Sequence, residues 1–196
     1  MKKTLKQNWL RGLFVGLALS ATTGVSIAAN YDVDTKGAHA FINAKFMHLG
    51  YSVLHASFKK FDGSFSFDPD NLQASKVSIN IDVASIDSNH AERDKHMRGK
   101  KFLHTDKYST ATFESTRIEP KGDNKFILHG DLNLRGVSKP VAIDASLINH
   151  GKDPWGGYRA GFKGFVTLDM RDFGVKTFKP LHTVDMELFI EGVKKK

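Results

Sequence analysis

Beyond residue 30 the chain alternates apolar and polar side chains with a period of two. Val77, Ile79, Ile81 and Val83 are separated by Ser78, Asn80 and Asp82. Phe126, Leu128, Gly130, Leu132 and Leu134 alternate with Ile127, His129, Asp131 and Asn133, and Val141, Ile143, Ala145 and Leu147 with Ala142, Asp144 and Ser146. Tyr158, Ala160, Phe162, Gly164, Val166, Leu168 and Met170 form the longest set, and Val184, Met186, Leu188 and Ile190 face away from Asp185, Glu187 and Glu191. Such segments put one face in oil and the other in water, as half-buried antiparallel strands do. Residues 39–47 and 52–67 predict two or three more strands, carrying Phe41, Phe46, Phe58, Phe61, Phe65 and Phe67. Residues 110–118 predict another, with Ala111 and Phe113 on one side. Turn signals separate the runs, among them Asp62-Gly63, Asp68-Pro69-Asp70-Asn71, Lys121-Gly122-Asp123-Asn124, Asp153-Pro154 and Gly156-Gly157. The sum is about eight or nine strands.

One segment breaks the period. Ser88 or Asn89 is placed to cap a short helix over Ala91–Arg98, with Glu92 in its first turn. This helix is expected to lie over one end of the sheet, and Glu92 and Asp94 read as a solvated face. An all-β chain of this length must hide its strand edges by closing a barrel or stacking two sheets. Strands of ten residues or more favour a tilted, closed, eight-stranded barrel, with a sandwich as the alternative. Gly130, Gly161 and Gly164 inside strand patterns fit bends, bulges or a close approach. The inward set mixes large rings with Ala111, Gly130, Ala145, Ala160 and Gly164. That mixture suits an open tube and a filled core equally well.

Residues 1–11 hold Lys2, Lys3, Lys6 and Arg11 and no acid, Leu13–Ala21 is apolar, and Ser26-Ile27-Ala28 supplies small residues before Ala29. Together these read as a cleavable secretory signal peptide over 1–28, leaving 29–196 as one exported domain. The apolar run is too short for a spanning helix, so no transmembrane anchor is expected after cleavage. Removing the leader lowers the formal charge from +8 to about +4, and the remaining Lys and Arg are scattered among acids. Nucleic acid is therefore not expected as a partner. Phenylalanine dominates the aromatic residues, at 15 Phe against 4 Tyr and 2 Trp, which supplies apolar surface without polar handles.

Candidate chemistry is sparse. The chain has no cysteine, which excludes disulfides and cysteine-based metal or nucleophile chemistry. Its nine histidines form no His-Glu-x-x-His pattern, so no metal is expected. Neither a Gly-x-Ser-x-Gly elbow nor a Walker loop nor a Gly-x-Gly-x-x-Gly turn occurs. No catalytic residue is assigned and no enzymatic activity is expected.

A series of strings, in order along the mature chain, resembles the YceI-like family of exported, lipocalin-like, polyisoprenoid-binding proteins. They are Tyr31, Asp34 and His39; His48-Leu49-Gly50; Phe58, Phe61, Gly63 and Phe65; Ser85-Ile86-Asp87; Arg93-Asp94-Lys95-His96; Thr112-Phe113-Glu114-Ser115; Gly130 to Val141; Gly161-Phe162; and Asp172-Phe173-Gly174. The His90–His96 stretch is similar to that of periplasmic Gram-negative members. Asn133 and Ser138 stand where the family usually has threonine, and Arg135 and Met170 are unusual choices. The resemblance implies an extended, eight-stranded antiparallel lipocalin-like barrel in the periplasm, with a long hydrophobic tunnel and no defining catalytic activity. Its implied cargo is a polyisoprenoid or quinone-tail amphiphile, with fatty-acid-like amphiphiles in some members.

On that basis Phe46, Phe58, Phe65, Ile79, Ile81, Phe113, Leu128, Leu132, Phe162, Val166 and Leu168 are the expected tunnel wall. Met97, Phe102 and Leu103 are placed to close one end. Arg93, Arg98, Lys100 and Lys101 are the candidates for a phosphate headgroup at the mouth, against a plain solvated surface. Arg93 and Asp94 have a structural alternative, pairing with the barrel end. The expected partner is a long-chain prenyl lipid. A homodimer, a stress-related role with fatty-acid-like cargo, and a quinone-linked membrane electron-transfer partner remain as alternatives.

Overall fold

The two-residue period is realised as eleven β-strands that make eight barrel staves. The computed structural model describes residues 28–177, 179 and 181–196, so the leader over 1–28 lies outside the described residues except for Ala28. The first stave is β1 (Ala29–Val33) followed by β2 (Phe41–His48), and the second is β3 (Ser52–Phe58) followed by β4 (Phe61–Phe67). These two staves form one long hairpin, pairing Asp32 with Ser64 and Ile42 with Phe58. The third stave is β5 (Lys76–Asp82) and β6 (Ile86–Asp87), which follow β4 and β3 in register. Five unbroken staves complete the circuit: β7 (Thr110–Gly122), β8 (Lys125–Leu134), β9 (Val137–Lys152), β10 (Tyr158–Asp169) and β11 (Thr183–Lys194). All pairings are antiparallel, and β11 closes the barrel by pairing with both β1 and β2. Closure removes the sheet edges that the sandwich alternative would have left.

The breaks in the first three staves are stitched locally. At 34–40 the Asp34 carboxylate accepts the Gly37 amide at 2.9 Å. At 82–85 the Asp82 carboxylate accepts the Ala84 amide, and the Lys60 amide donates to Ser85 Oγ at 2.9 Å across the two interrupted staves. Each break thus satisfies its own backbone groups while bending the wall. The breaks explain why the sequence pattern gives eight or nine strands and the structure eleven. Neither β1 nor β6 stands out in the sequence, and β7, β9 and β11 run longer than their clean alternation.

Two strand glycines make room for rings. A Cβ at Gly130 would fall 2.4 Å from the Phe113 ring, and one at Gly192 2.4 Å from the Phe65 ring. Both rings point inward, so the glycines let large side chains lie flat on the wall. Gly192→Ala is therefore expected to lower unfolding free energy by about 2 kcal/mol, as overpacking does. Phe65→Leu in the same chain should recover part of that loss in a denaturant titration, because it removes the obstructing ring.

The helix α1 (Ala91–Arg98) forms over the expected residues, but its cap is corrected. Neither Ser88 nor Asn89 is the N-cap: His90 is, and its Nδ1 accepts the Arg93 amide at 3.3 Å. Asp94 is corrected too. It is buried rather than solvated, and it accepts from the Ser88 amide at 2.8 Å and the Ser88 hydroxyl at 2.5 Å. Glu92 is exposed as expected.

Candidate ligand tunnel

The inward faces of the staves enclose one elongated cavity of about 430 Å³. Twelve residues of β10 at ~3.3 Å each, tilted by ~40°, give a wall roughly 30 Å high. A packed barrel would bury every inward side chain. Here Leu128, Leu132, Val141, Ala145, Phe162, Val166, Val184, Met186, Leu188 and Ile190 all line the cavity and are only half-buried. The small residues therefore leave a tube rather than fit the large ones.

One end is floored by rings. Tyr31 stacks on Phe65 with centroids 4.9 Å apart, and Phe162 meets Phe65, Phe67 and Phe126 edge-on at 5.4, 5.3 and 6.2 Å. His150 adds an edge contact to Phe67 at 5.4 Å. Edge-to-face and offset contacts of this kind hold rings in place beyond the area they bury. The floor lies where β1, the end of β4 and the start of β10 meet.

The opposite end is built by α1, the segment after it, the β8–β9 turn, residues 170–177 and residues 181–182. Arg135 in that turn ties three of these together, donating to the carbonyls of Phe173 at 3.1 Å, Gly174 at 2.6 Å and Lys100 at 3.3 Å. Here the lining, apolar over nearly all its surface, includes four polar residues, His48, Arg93, His96 and Thr177. Among the described residues Thr177 Oγ1 is buried without a hydrogen-bond partner, so its hydroxyl is available to a guest.

All fourteen apolar residues expected at the tunnel line the cavity: Phe46, Phe58, Phe65, Ile79, Ile81, Met97, Phe102, Leu103, Phe113, Leu128, Leu132, Phe162, Val166 and Leu168. The four basic candidates divide. Arg93 lines the cavity, with Nε donating to Ser88 Oγ at 2.8 Å and Nη2 to the Ser88 carbonyl at 2.6 Å. Arg98 does not line it and is turned to the Ile86 carbonyl at 3.0 Å, while Lys100 and Lys101 are exposed outside the lining. Burial pushes the Asp94 carboxyl up, but hydrogen bonds from Ser88, with Arg98 and Arg93 nearby, outweigh it and hold the carboxyl below its ordinary value. The Arg93–Ser88–Asp94 network thus fixes α1 on the barrel. Sequence reasoning missed His48, His96 and Thr177 as lining residues, along with the β11 set of Val184, Met186, Leu188 and Ile190. The β11 alternation was visible and could have found the last four. The aperiodic segment around Thr177 carries no such signal.

Outside the wall, one arginine gathers three acids. Arg159 Nη1 lies 2.6 Å from both Asp34 and Glu191, and its Nε 3.0 Å from Asp153. The Asp34, His39 and Glu191 ligand atoms lie within 4.8 Å of one another, but the guanidinium already sits against both carboxylates. The hydrogen bond from His39 first, and then Arg159, bring the Asp34 carboxyl down to about 2. This hub pins the break in the first stave to β10, β11 and the β9–β10 turn.

A closed eight-stave barrel around an apolar tube defines a lipocalin-like binding protein. The chain belongs to the YceI family: the YceI-like domain matches residues 31–193. It is 52% identical over 198 residues to a UPF0312 protein of Vibrio cholerae, covering 100% of both chains. It is 50% identical to one of Azotobacter vinelandii, covering 99% of both. Among solved structures it is similar to the Campylobacter jejuni YceI protein, at 26% identity and TM-score 0.69 over 78% of this chain and 91% of that one. A cysteine variant of a YceI protein, with monobromobimane as guest, matches at TM-score 0.71, 26% identity and the same coverage. A polyisoprenoid binding domain from Saccharophagus degradans shares the fold, with TM-score 0.64 at 14% identity over 86% of this chain and 100% of that one. YceI-family proteins are periplasmic, non-catalytic, lipid-binding and transport proteins.

Proposed function

We propose that this protein is a periplasmic carrier that shields a polyisoprenoid or quinone-tail chain inside its barrel. The observation that carries the reading is the unfilled tube, apolar over nearly all its surface, with an aromatic floor. A prenyl chain is long and thin, with a methyl branch on each isoprene unit, and water is a poor solvent for it. Each buried CH₂-sized group contributes roughly 0.8 kcal/mol, so ten contribute on the order of 8 kcal/mol before association costs. That is near the free energy of a micromolar complex, and longer chains gain more. An apolar tube measures girth and length, so selectivity falls to the few polar groups at the end opposite the floor. Arg93 retains an Nη1 outside its Ser88 contacts, and Thr177 and His96 stand beside the same opening. These three are the groups proposed to face the head of the amphiphile. Residues 1–28 are proposed as the leader that delivers the chain, with cleavage before Ala29.

The reading is tested by stripping the protein of lipid and titrating it with prenyl phosphates from farnesyl to octaprenyl. Affinity should rise with each added isoprene until the tube is full and then level off. Affinity independent of chain length, or a preference for straight-chain fatty acids of equal length, would overturn it.

A further inference from the structure

The hairpin between β2 and β3 carries an apolar tip that the barrel does not use. Met47, Leu49, Tyr51 and Val53 are 39%, 51%, 88% and 48% exposed. Their neighbours Phe46, His48 and Leu54 line the cavity, and Met47 pairs with Val53 across the hairpin. One face of the hairpin thus belongs to the tunnel and the other to an apolar patch at the same end.

The turn itself is unusual. Leu49 has φ 52° and Gly50 φ 85°, the left-handed pair of a tight hairpin turn. Asn or Asp is favoured at the first position, as at Asp123-Asn124 of the β7–β8 turn, with φ 47° and 62°. A leucine there strains the backbone and exposes an apolar side chain together, which gains the hairpin nothing in its folded state.

Charge is also polarised toward this end. Residues 45–55, 91–109, 134–139, 169–177, 179 and 181–187 build it, and they hold twelve Lys and Arg against seven Asp and Glu. The rest of 29–196 holds thirteen against fourteen. Lys95, Lys100, Lys101, Lys107 and Lys176 are exposed here and make no ion pair among the described residues. An apolar tip within a basic rim matches one surface chemistry: an anionic phospholipid bilayer, with acyl chains for the tip and headgroup phosphates for the lysines.

The geometry points to the β2–β3 tip as a membrane-docking element, which seats the α1 end of the tunnel on an anionic lipid surface. The inference goes beyond the proposed cargo and does not depend on which amphiphile the tunnel holds. Tyr51, amphipathic and almost fully exposed, sits at headgroup depth while Leu49 reaches the acyl boundary.

The test is flotation of the mature protein with phosphatidylcholine vesicles, with and without phosphatidylglycerol, at low and high salt. Native protein should float with the anionic vesicles at low salt and be released by high salt. The double variant Leu49→Asn/Tyr51→Ser should bind at least about tenfold more weakly. Asn suits the left-handed turn, so this variant should keep the native melting temperature. A Tyr51→Trp variant should show a blue-shifted emission on the vesicles, while native Trp155, in the β9–β10 turn at the opposite end, should not. Failure of the native protein to float would overturn the proposal, as would undiminished binding by the double variant. So would a native dimer in sedimentation velocity that the double variant dissociates, because a second copy would then cover the tip. None of these outcomes bears on the tunnel's cargo, which the prenyl titration reads separately.

Discussion

A chain carrying Ala145→Phe and Val166→Trp is expected to keep its fold and lose its lipid. Both residues pack against the core, yet they line the cavity and are only half-buried. Ala145 sits on β9 and Val166 on β10, in adjoining staves where the larger rings would fill the tube at mid-height. In a packed core each enlargement costs about 1–3 kcal/mol through displaced neighbours. In an open tube the added rings bury apolar surface instead, which should leave the melting temperature unchanged or higher. Binding of a long prenyl phosphate should fall at least about a hundredfold, because the chain can no longer pass the obstruction. A melting temperature well below that of the native protein would mean that the interior was filled already. Unchanged affinity would place the guest elsewhere.

The second large effect is expected at the ion-pair hub. Arg159→Met removes a cation that Asp34, Asp153 and Glu191 share and leaves three carboxylates facing one another. Breaking a fully buried pair costs about 3–5 kcal/mol. The Arg159 side chain is 26% exposed, so a smaller loss of about 2–3 kcal/mol is expected here. In a domain of this size that lowers the melting temperature by roughly 5–10 °C. The dependence on pH has a definite sign. The Asp34 carboxyl is held at about 2 in the folded protein, below its ordinary 3.8. Its stabilisation is therefore fully present above pH 4 and is lost as pH falls toward 2. In the variant the carboxylates repel, so protonation relieves strain instead of removing an attraction. The gap between variant and native melting temperatures should be wide at pH 7 and narrow at pH 3. A gap that stays constant across that range would mean that Arg159 acts through packing alone.

The barrel was legible because its signal is local. On β8, β9, β10 and β11, an inward residue is two positions from the next, so Leu128 and Leu132 or Val166 and Leu168 declare one face without any tertiary knowledge. The eleven strand positions expected at the tunnel wall lie on it for that reason. Three things were not local. The breaks at 59–60 and 83–85 are tied to each other by a hydrogen bond between staves, from the Lys60 amide to Ser85, and split what reads as continuous strand. His90 caps α1 through its ring nitrogen, a role more often given to the Ser88 and Asn89 beside it. The Arg159 hub draws on residues 34, 153 and 191, which no spacing rule connects. Whether the interior is empty or filled also lies beyond pattern. The same alternation of Phe with Gly and Ala satisfies both, and only the half-burial of the inward side chains separates them. The basic candidates show the same limit. Arg93 and Arg98 lie on one short helix, yet only the former reaches the tunnel.

The most direct measurement is to purify the mature protein from the periplasm without detergent, extract it with organic solvent and identify the extract by mass spectrometry. The carrier account predicts a prenyl species, a polyisoprenoid phosphate or a quinone, near one per protein chain, and its absence from the Ala145→Phe/Val166→Trp protein. Straight-chain fatty acids at that stoichiometry, or a folded native protein that yields no lipid, would contradict it.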